Sequence, residues 1–314
     1  MSFFFFINWG RKKLLRDNKQ IPDPIKKILF LPGCTEITLR RNDIVALDLT
    51  SQINRKSSLQ GIINQVNRQG GLAILAHPSY FLKRYNRRKL FRLKDYLGIE
   101  IYNPNKIPWP ETTKRWDFIL TRRPYTRIWG FATDDMHDLK RDAGRAWIMV
   151  RAKSFDSQSI LEALRQGSFY STTGPIIDKI LLNEDKIKII LNKDYQVKFI
   201  GYNRKTLEVR FGREVSYPIR PQDIYVRAEI KDLRYRKKAW TQPFFIRDGK
   251  FSYAAYLKEG GWLRGSIHVH TDLKGGRHRE EEVVEWYRNQ GYDFLAITEH
   301  NIIAHPKISP SNNG

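Results

Sequence analysis

Short apolar runs and helical spacings alternate along the first half of the chain. The runs at 28–31, 43–49, 72–78, 98–103, 128–137 and 146–152 have the length and composition of buried strands. Between them, helical patterns run over 59–69, 112–120 and 157–166, and 83–94 is a basic helix-like run. The first helix stops at Gly70-Gly71, and Pro78 stops the strand before it. The segment 167–175, GSFYSTTGP, reads as turn-rich. From about 176 to 246 the pattern changes to short alternating segments spaced by Asn, Asp, Gly and Pro, which is an all-β reading. A connecting piece at 248–262 leads to a strand, a Gly-rich turn, a helix over 280–290 and a second strand over 294–298. The expected division is 1–175, 176–246 as a β-rich appendage, and 247–314.

Composition narrows this picture. A chain of 314 residues with 41% hydrophobic and 13% aromatic content can bury a large core and is not a disordered chain. The first residues, MSFFFFINWGRKK, are too short an apolar run to span a membrane. Their positive charges follow the run, unlike a signal peptide, so they read as a leader. No other segment approaches membrane-spanning length. The lone Cys34 excludes an internal disulfide and points to a reducing, cytoplasmic setting. The net charge of +23 implies anionic partners: nucleic acid, acidic membranes or small phosphorylated substrates. It equally suits an ordinary soluble protein rich in lysine. The basic run at 83–94, with Tyr85, Phe91 and Tyr96 interleaved, supplies the nucleic-acid reading, as a binding protein or a nuclease.

The histidines change the picture more. His268 and His270 sit two apart on a predicted strand, so both imidazoles leave one face. Asp135 and His137 repeat that geometry. His77 and His300 stand at the ends of apolar runs, and Glu36 and Glu100 lie on or near the ends of others. One such histidine is ordinarily a core residue. Together they are the neutral nitrogens and carboxylates that a divalent Zn, Mn or Fe ion takes. Ligands gathered from strand ends in strand–helix–strand units are how (β/α) barrels build a site.

These residues carry a resemblance. HVHT (268–271), ITEHN (297–301), Glu36, LAHP (75–78), EIYN (100–103) and DDMH (134–137) resemble the motifs of the PHP (polymerase and histidinol phosphatase) metallohydrolases. The match is closest to the carbaryl-hydrolase-like branch. It covers 29–175 and 250–301 well, the β-rich region loosely, and 1–28 not at all. The resemblance implies an α/β fold, a distorted (β/α)7 PHP barrel with a small all-β appendage. It implies two or three divalent metals and a phosphoesterase that uses metal-bound hydroxide, with carbamate or ester hydrolysis as the alternative. Carried over by motif, His268, His270, Glu36 and Asp135 would hold one metal. Glu36 would bridge to a second, held also by His77 and by Glu100 or Asn103. His300 and His137 would hold a third, helped by His278 or Asp272; if not ligated, either could protonate the leaving group. Arg145, Arg277, Lys274 and Arg84 are candidates for holding the substrate phosphate.

The chain departs from the pattern in the loop after HVHT, which lacks the usual Ser-Asp-Gly, and at Glu299, where Asp is more usual. Above all, the motif order is rotated: the HxH and TEHN pieces come last. A circular permutation, a trimmed tandem array and a gene-assembly artefact would each produce this order. The C-terminal strands would then dock on their own chain or swap between two chains of a homodimer.

Overall fold

The structure is a computed structural model that describes residues 27–40, 42–79, 85–106, 108–253 and 255–306. The leader at 1–26 and the candidate Arg84 lie outside the described residues.

Strands β1 (Leu29–Phe30), β2 (Thr35–Thr38) and β3 (Asp43–Leu47) open the fold. Helix α1 (Leu59–Arg68) follows, with the Ser58 hydroxyl accepting from Gly61 N at 3.1 Å at its start and Ile62, Ile63 and Val66 on its buried side. Next come β4 (Leu72–Leu75), α2 (Arg87–Arg92), β5 (Gly98–Tyr102), α3 (Thr113–Arg122) and β6 (Trp129–Ala132). They are followed by β7 (Trp147–Ala152), α4 (Ser157–Gln166) and β8 (Phe169–Thr172). Gly167 ends α4 at φ +78°, and its backbone lies so close to Trp129 that a Cβ would meet the indole at 2.6 Å.

The β-rich region comprises β9 (Ile177–Asn183), β10 (Lys186–Gly201), β11 (Thr206–Pro218), β12 (Tyr225–Lys231), β13 (Lys238–Thr241), β14 (Phe244–Arg247) and β15 (Lys250–Tyr253). The short segments read from the sequence here merge into long strands, 16 residues in β10 and 13 in β11. The chain closes with β16 (Gly261–Val269), α5 (Glu280–Asn289) and β17 (Phe294–Ile297), the strand–helix–strand expected there. GSFYSTTGP is not only turn: its centre is β8, paired with both β7 and β13.

The expected (β/α)7 barrel is not what the chain forms. Among the described residues there are five α-helices and two mixed sheets, with no closed barrel. The smaller sheet runs β2-β3-β4-β5-β6. The larger has twelve strands, running β1-β17-β16-β7-β8-β13-β12-β10-β11 with β9, β14 and β15 attached. The physical reason lies in the pairing. Four residues join β2 to β3, too few for the crossover that parallel neighbours need, so the two are antiparallel. β3–β4 and β7–β8 are antiparallel as well, although a helix lies in each connection. The β-rich region continues the larger sheet through the β8–β13 pairing.

Single bridges join the two sheets along two seams, Glu36 with His300 and Cys34 with Ala304 at one, Met136 with Val269 at the other. No helix among the described residues is long and apolar enough to cross a membrane.

Candidate metal centre

The two seams between the sheets are where the motifs converge. At one, Glu36 N donates to Glu299 O at 3.1 Å, and Asn301 N returns a bond to Glu36 O at 2.8 Å. At the other, Met136 N donates to His268 O at 3.3 Å and His270 N to Met136 O at 2.9 Å. Glu36 is thereby fixed beside His300, and the Asp135–His137 segment beside His268 and His270. Three site residues sit at positive φ, a strained backbone region: His77 at 29°, Asp135 at 48° and Asn301 at 61°.

Four side chains face one another across these seams. His268 Nε2 lies 3.2 Å from Asp135 Oδ1 and 3.5 Å from Glu36 Oε2. His270 Nε2 lies 3.4 Å from Asp135 Oδ1 and 3.6 Å from Glu36 Oε2. All four residues are buried. The two imidazole nitrogens and Asp135 Oδ1 nevertheless make no hydrogen bond. Buried polar atoms are ordinarily paired, so a convergent unpaired set points to a missing partner. Donors held about 2.1 Å from a tetrahedral ion stand about 3.4 Å apart, which matches the observed spacings. The residues fit a divalent metal.

Glu36 reaches further. Its Oε1 is 3.1 Å from His77 Nε2, which is also 3.6 Å from Asp43 Oδ2. Its Oε2 lies 2.8 Å from His300 Nδ1. Glu36, Asp43 and His77 form a second group of metal-ligand type, and His137, His270 and His300 a third. In the third the ring centroids are 4.2 Å apart for His137–His270 and 4.5 Å for His270–His300. Gly275, at φ +132°, closes over these two rings: a Cβ there would meet His300 Cδ2 at 2.8 Å and His270 Nδ1 at 3.1 Å.

Glu100 stands behind His268. Its Oε1 is 2.6 Å from His268 Nδ1 and accepts from Thr133 Oγ1 at 2.8 Å. Its Oε2 accepts from His77 N at 2.7 Å and from Asn103 Nδ2 at 3.0 Å. A carboxylate on the far nitrogen leaves Nε2 to face the cluster. Asn103 uses its amide on Glu100 and Asp135.

Charge in the metal-free cluster is tightly shared. Burial opposes ionisation of Glu36, but the His268 imidazolium and its histidine contacts outweigh it and hold the carboxyl well below its ordinary range. Burial likewise opposes ionisation of Asp135; His268 and Lys106 outweigh it and lower it in the same way. Burial would strip the proton from His268, yet Asp135, Glu100 and Glu36 together push it well above 6.5. His270 is the contrast: burial brings it down to about 4, so it is neutral at pH 7 and suited to ligation. Burial raises the neighbouring Asp134 to about 6, against hydrogen bonds from Tyr287 Oη at 2.6 Å and Ser266 Oγ at 2.7 Å that join it to α5 and β16.

Other sequence candidates lie elsewhere. Asp272 is exposed, and the ion-pair partners of His278 are Asp138 and Glu282, each at 3.9 Å. Arg145 is exposed. Arg277 is 68% exposed and pairs with Asp138 at 3.2 Å, though its backbone N donates to His137 O at 2.9 Å. Lys274 contributes its backbone, donating to Glu299 Oε2 at 3.0 Å. Of the interleaved aromatics, Tyr85 and Tyr96 are core residues and only Phe91 is exposed.

Sequence reasoning missed Asp43 and Lys106. Asp43 was visible as an acid opening an otherwise apolar strand. Lys106, whose Nζ is 2.5 Å from Asp135 Oδ2, carries no signal that separates it from the other 55 lysines and arginines, 56 in all. No protein-family profile matches the chain, and no curated protein matches its sequence.

Proposed function

We propose that this chain is a metal-dependent hydrolase, with phosphoesters as its first candidate substrates. The observation that carries the reading is the convergence of His268, His270, Glu36 and Asp135 at 3.2–3.6 Å, with His268 Nε2, His270 Nε2 and Asp135 Oδ1 buried and without a hydrogen bond. These four would hold one ion. Glu36, His77 and Asp43 would hold a second, and His137, His270 and His300 supply a further set. Divalent ions bound there would polarise a phosphoryl or carbonyl oxygen and lower the pKa of water.

The chain's own groups do the rest. Glu100 fixes the His268 ring, so that Nε2 and not Nδ1 faces the cluster. The buried floor of His77, His268 and His270 keeps bulk water from the carboxylates. His137 and His300, 26% and 29% exposed, face the solvent side, where an imidazole outside the ligand set can hand a proton to a leaving group. The ligand set is what remains of the resemblance to PHP metallohydrolases; the barrel is not part of this reading.

Metal analysis of the purified chain tests it, together with turnover of generic phosphoesters in added Mn²⁺. Bound metal is expected, with turnover abolished in His268→Ala and Asp135→Ala. A protein with no metal above background and no turnover would refute the proposal.

A further inference from the structure

The turn after β5 brings a cation to the centre, where neither Arg145 nor Arg277, both exposed, stands. It is tied down on both sides. Asn105 Nδ2 donates to Asp134 O at 3.0 Å and to Asp135 O at 2.6 Å, while Asn105 N donates to Asn103 Oδ1 at 3.1 Å. From this anchored turn Lys106 Nζ reaches Asp135 Oδ2 at 2.5 Å, an oxygen that Asn103 Nδ2 also approaches at 3.0 Å. The two oxygens of Asp135 therefore differ in role. Oδ1 faces the two imidazoles of the metal set, and Oδ2 faces an ammonium.

Asp135 is 1% exposed and Lys106 16%, so Lys106 is the more accessible partner of the pair. His137, 26% exposed, flanks the same carboxylate at 3.5 Å. Lys106 and His137 are thus partly exposed groups flanking Asp135, one at Oδ2 and one at Oδ1. An ammonium is a compact charge with three donors, and its field is strong beside a low-dielectric wall.

Building on the hydrolase reading, we propose that Lys106 is the substrate-binding residue that holds an oxyanion, a phosphate-type tetrahedral group, at the rim of the centre. It separates anionic from neutral substrates of the same site. A neutral ester carries no charge for Lys106 to hold and gains little from it.

The test compares the full-length wild type with Lys106→Met and Lys106→Arg. Calorimetry follows binding of inorganic phosphate to the metal-free and Mn²⁺-loaded proteins. Chelator competition follows Mn²⁺ affinity. Turnover is read with p-nitrophenyl phosphate and p-nitrophenyl acetate. In Lys106→Met, phosphate binding and kcat/KM for the phosphate are expected to fall about 10- to 100-fold. Mn²⁺ affinity is expected to hold or rise, since a positive charge has left the carboxylate. Acetate turnover should stay within about threefold, and Lys106→Arg should recover most of the phosphate binding.

Loss of anion affinity without loss of cation affinity is the signature, because simple structural damage weakens both. The proposal is overturned if Lys106→Met binds phosphate as the wild type does. It is also overturned if that variant loses Mn²⁺ and phosphate together and Lys106→Arg is no better. A wild type that takes up neither Mn²⁺ nor Zn²⁺ and turns over neither ester refutes the hydrolase reading instead. Phosphate titrated into that metal-free protein still reports on Lys106, and equal affinity in Lys106→Met then overturns this inference too.

Discussion

Replacing Glu100 by Gln removes one charge and almost no volume, yet the structure predicts a large effect on metal affinity. Every partner of this carboxylate acts as a donor. His77 N and Asn103 Nδ2 face Oε2 at 2.7 and 3.0 Å; His268 Nδ1 and Thr133 Oγ1 face Oε1 at 2.6 and 2.8 Å. A Gln amide has one oxygen and one NH2 group, so one side must change. The Oε2 side cannot, because a backbone N–H has no alternative role and Asn103 already uses its oxygen on Asn105 N. The NH2 must therefore turn to the other side. The Thr133 hydroxyl can rotate to accept, and His268 can accept only by giving up its Nδ1 proton. A neutral His268 then carries its proton on Nε2, the nitrogen that faces Asp135 and Glu36, which is the wrong tautomer for a ligand. Loss of such a supporting carboxylate weakens metal binding about 10- to 100-fold, or ~1.4–2.7 kcal/mol. Competition of Mn²⁺ and Zn²⁺ against a chromophoric chelator measures it, with far-UV circular dichroism confirming the fold. An affinity within about twofold of wild type would refute the role assigned to Glu100.

Other outcomes follow from the same geometry. His268 is held protonated well above 6.5 in the metal-free protein, so ion binding at pH 7 should release about one proton, read by calorimetry in buffers of different ionisation enthalpy; a heat independent of buffer would count against it. The raised His268 adds stability that is full below 6.5 and lost as pH rises through its folded value, while the lowered Glu36 and Asp135 add stability that is full above 4.5 and lost on acidification. The lowered His270 loses stability as pH falls through this range and the raised Asp134 loses it as pH rises, so the two oppose each other, and urea midpoints of the metal-free protein should be highest between 4.5 and 6.5 and fall on both sides. Gly275→Ala puts a Cβ 2.8 Å from His300 Cδ2 at a φ of +132°, so metal affinity should drop with a destabilisation of about 1–3 kcal/mol; unchanged chelator competition would show that the glycine does not shape the site. Away from the centre, Arg227 of β12 makes two 2.8 Å bonds to Asp117 of α3, both buried. Arg227→Met should cost about 3–5 kcal/mol in urea unfolding, and adding Asp117→Asn should restore part of that if the cost comes from a stranded charge.

Much of the local structure was legible in the chain. The apolar runs locate β1 and β3 to β7, and the helical spacings locate α1 to α5 within a few residues, because period and stop signals are local properties. The HxH pair announced ligand geometry, since alternate residues of a strand share a face. The same argument fails for Asp135 and His137, which lie beyond the end of β6 with Asp135 at φ +48°; only the loop's tertiary contacts bring them to the site. Pairing direction was not legible in that way. A helix between two strands suggested parallel neighbours, yet β3–β4 and β7–β8 run antiparallel, and the barrel expected from the motifs is replaced by two mixed sheets. Direction depends on how each connection packs back onto the sheet, which no window of residues contains.

The side-chain chemistry divides along the same line. Residue types and spacing by themselves nominated Glu36, His77, Asp135, His137, His268, His270 and His300. Only the tertiary structure put Glu100 behind His268, set Asp43 beside His77, left Asp272 exposed and carried Lys106 to Asp135. A carboxylate reads the same in sequence whether it ligates, supports a ligand or meets water. Which of these it does is set by the atoms that folding brings within about 3 Å of it.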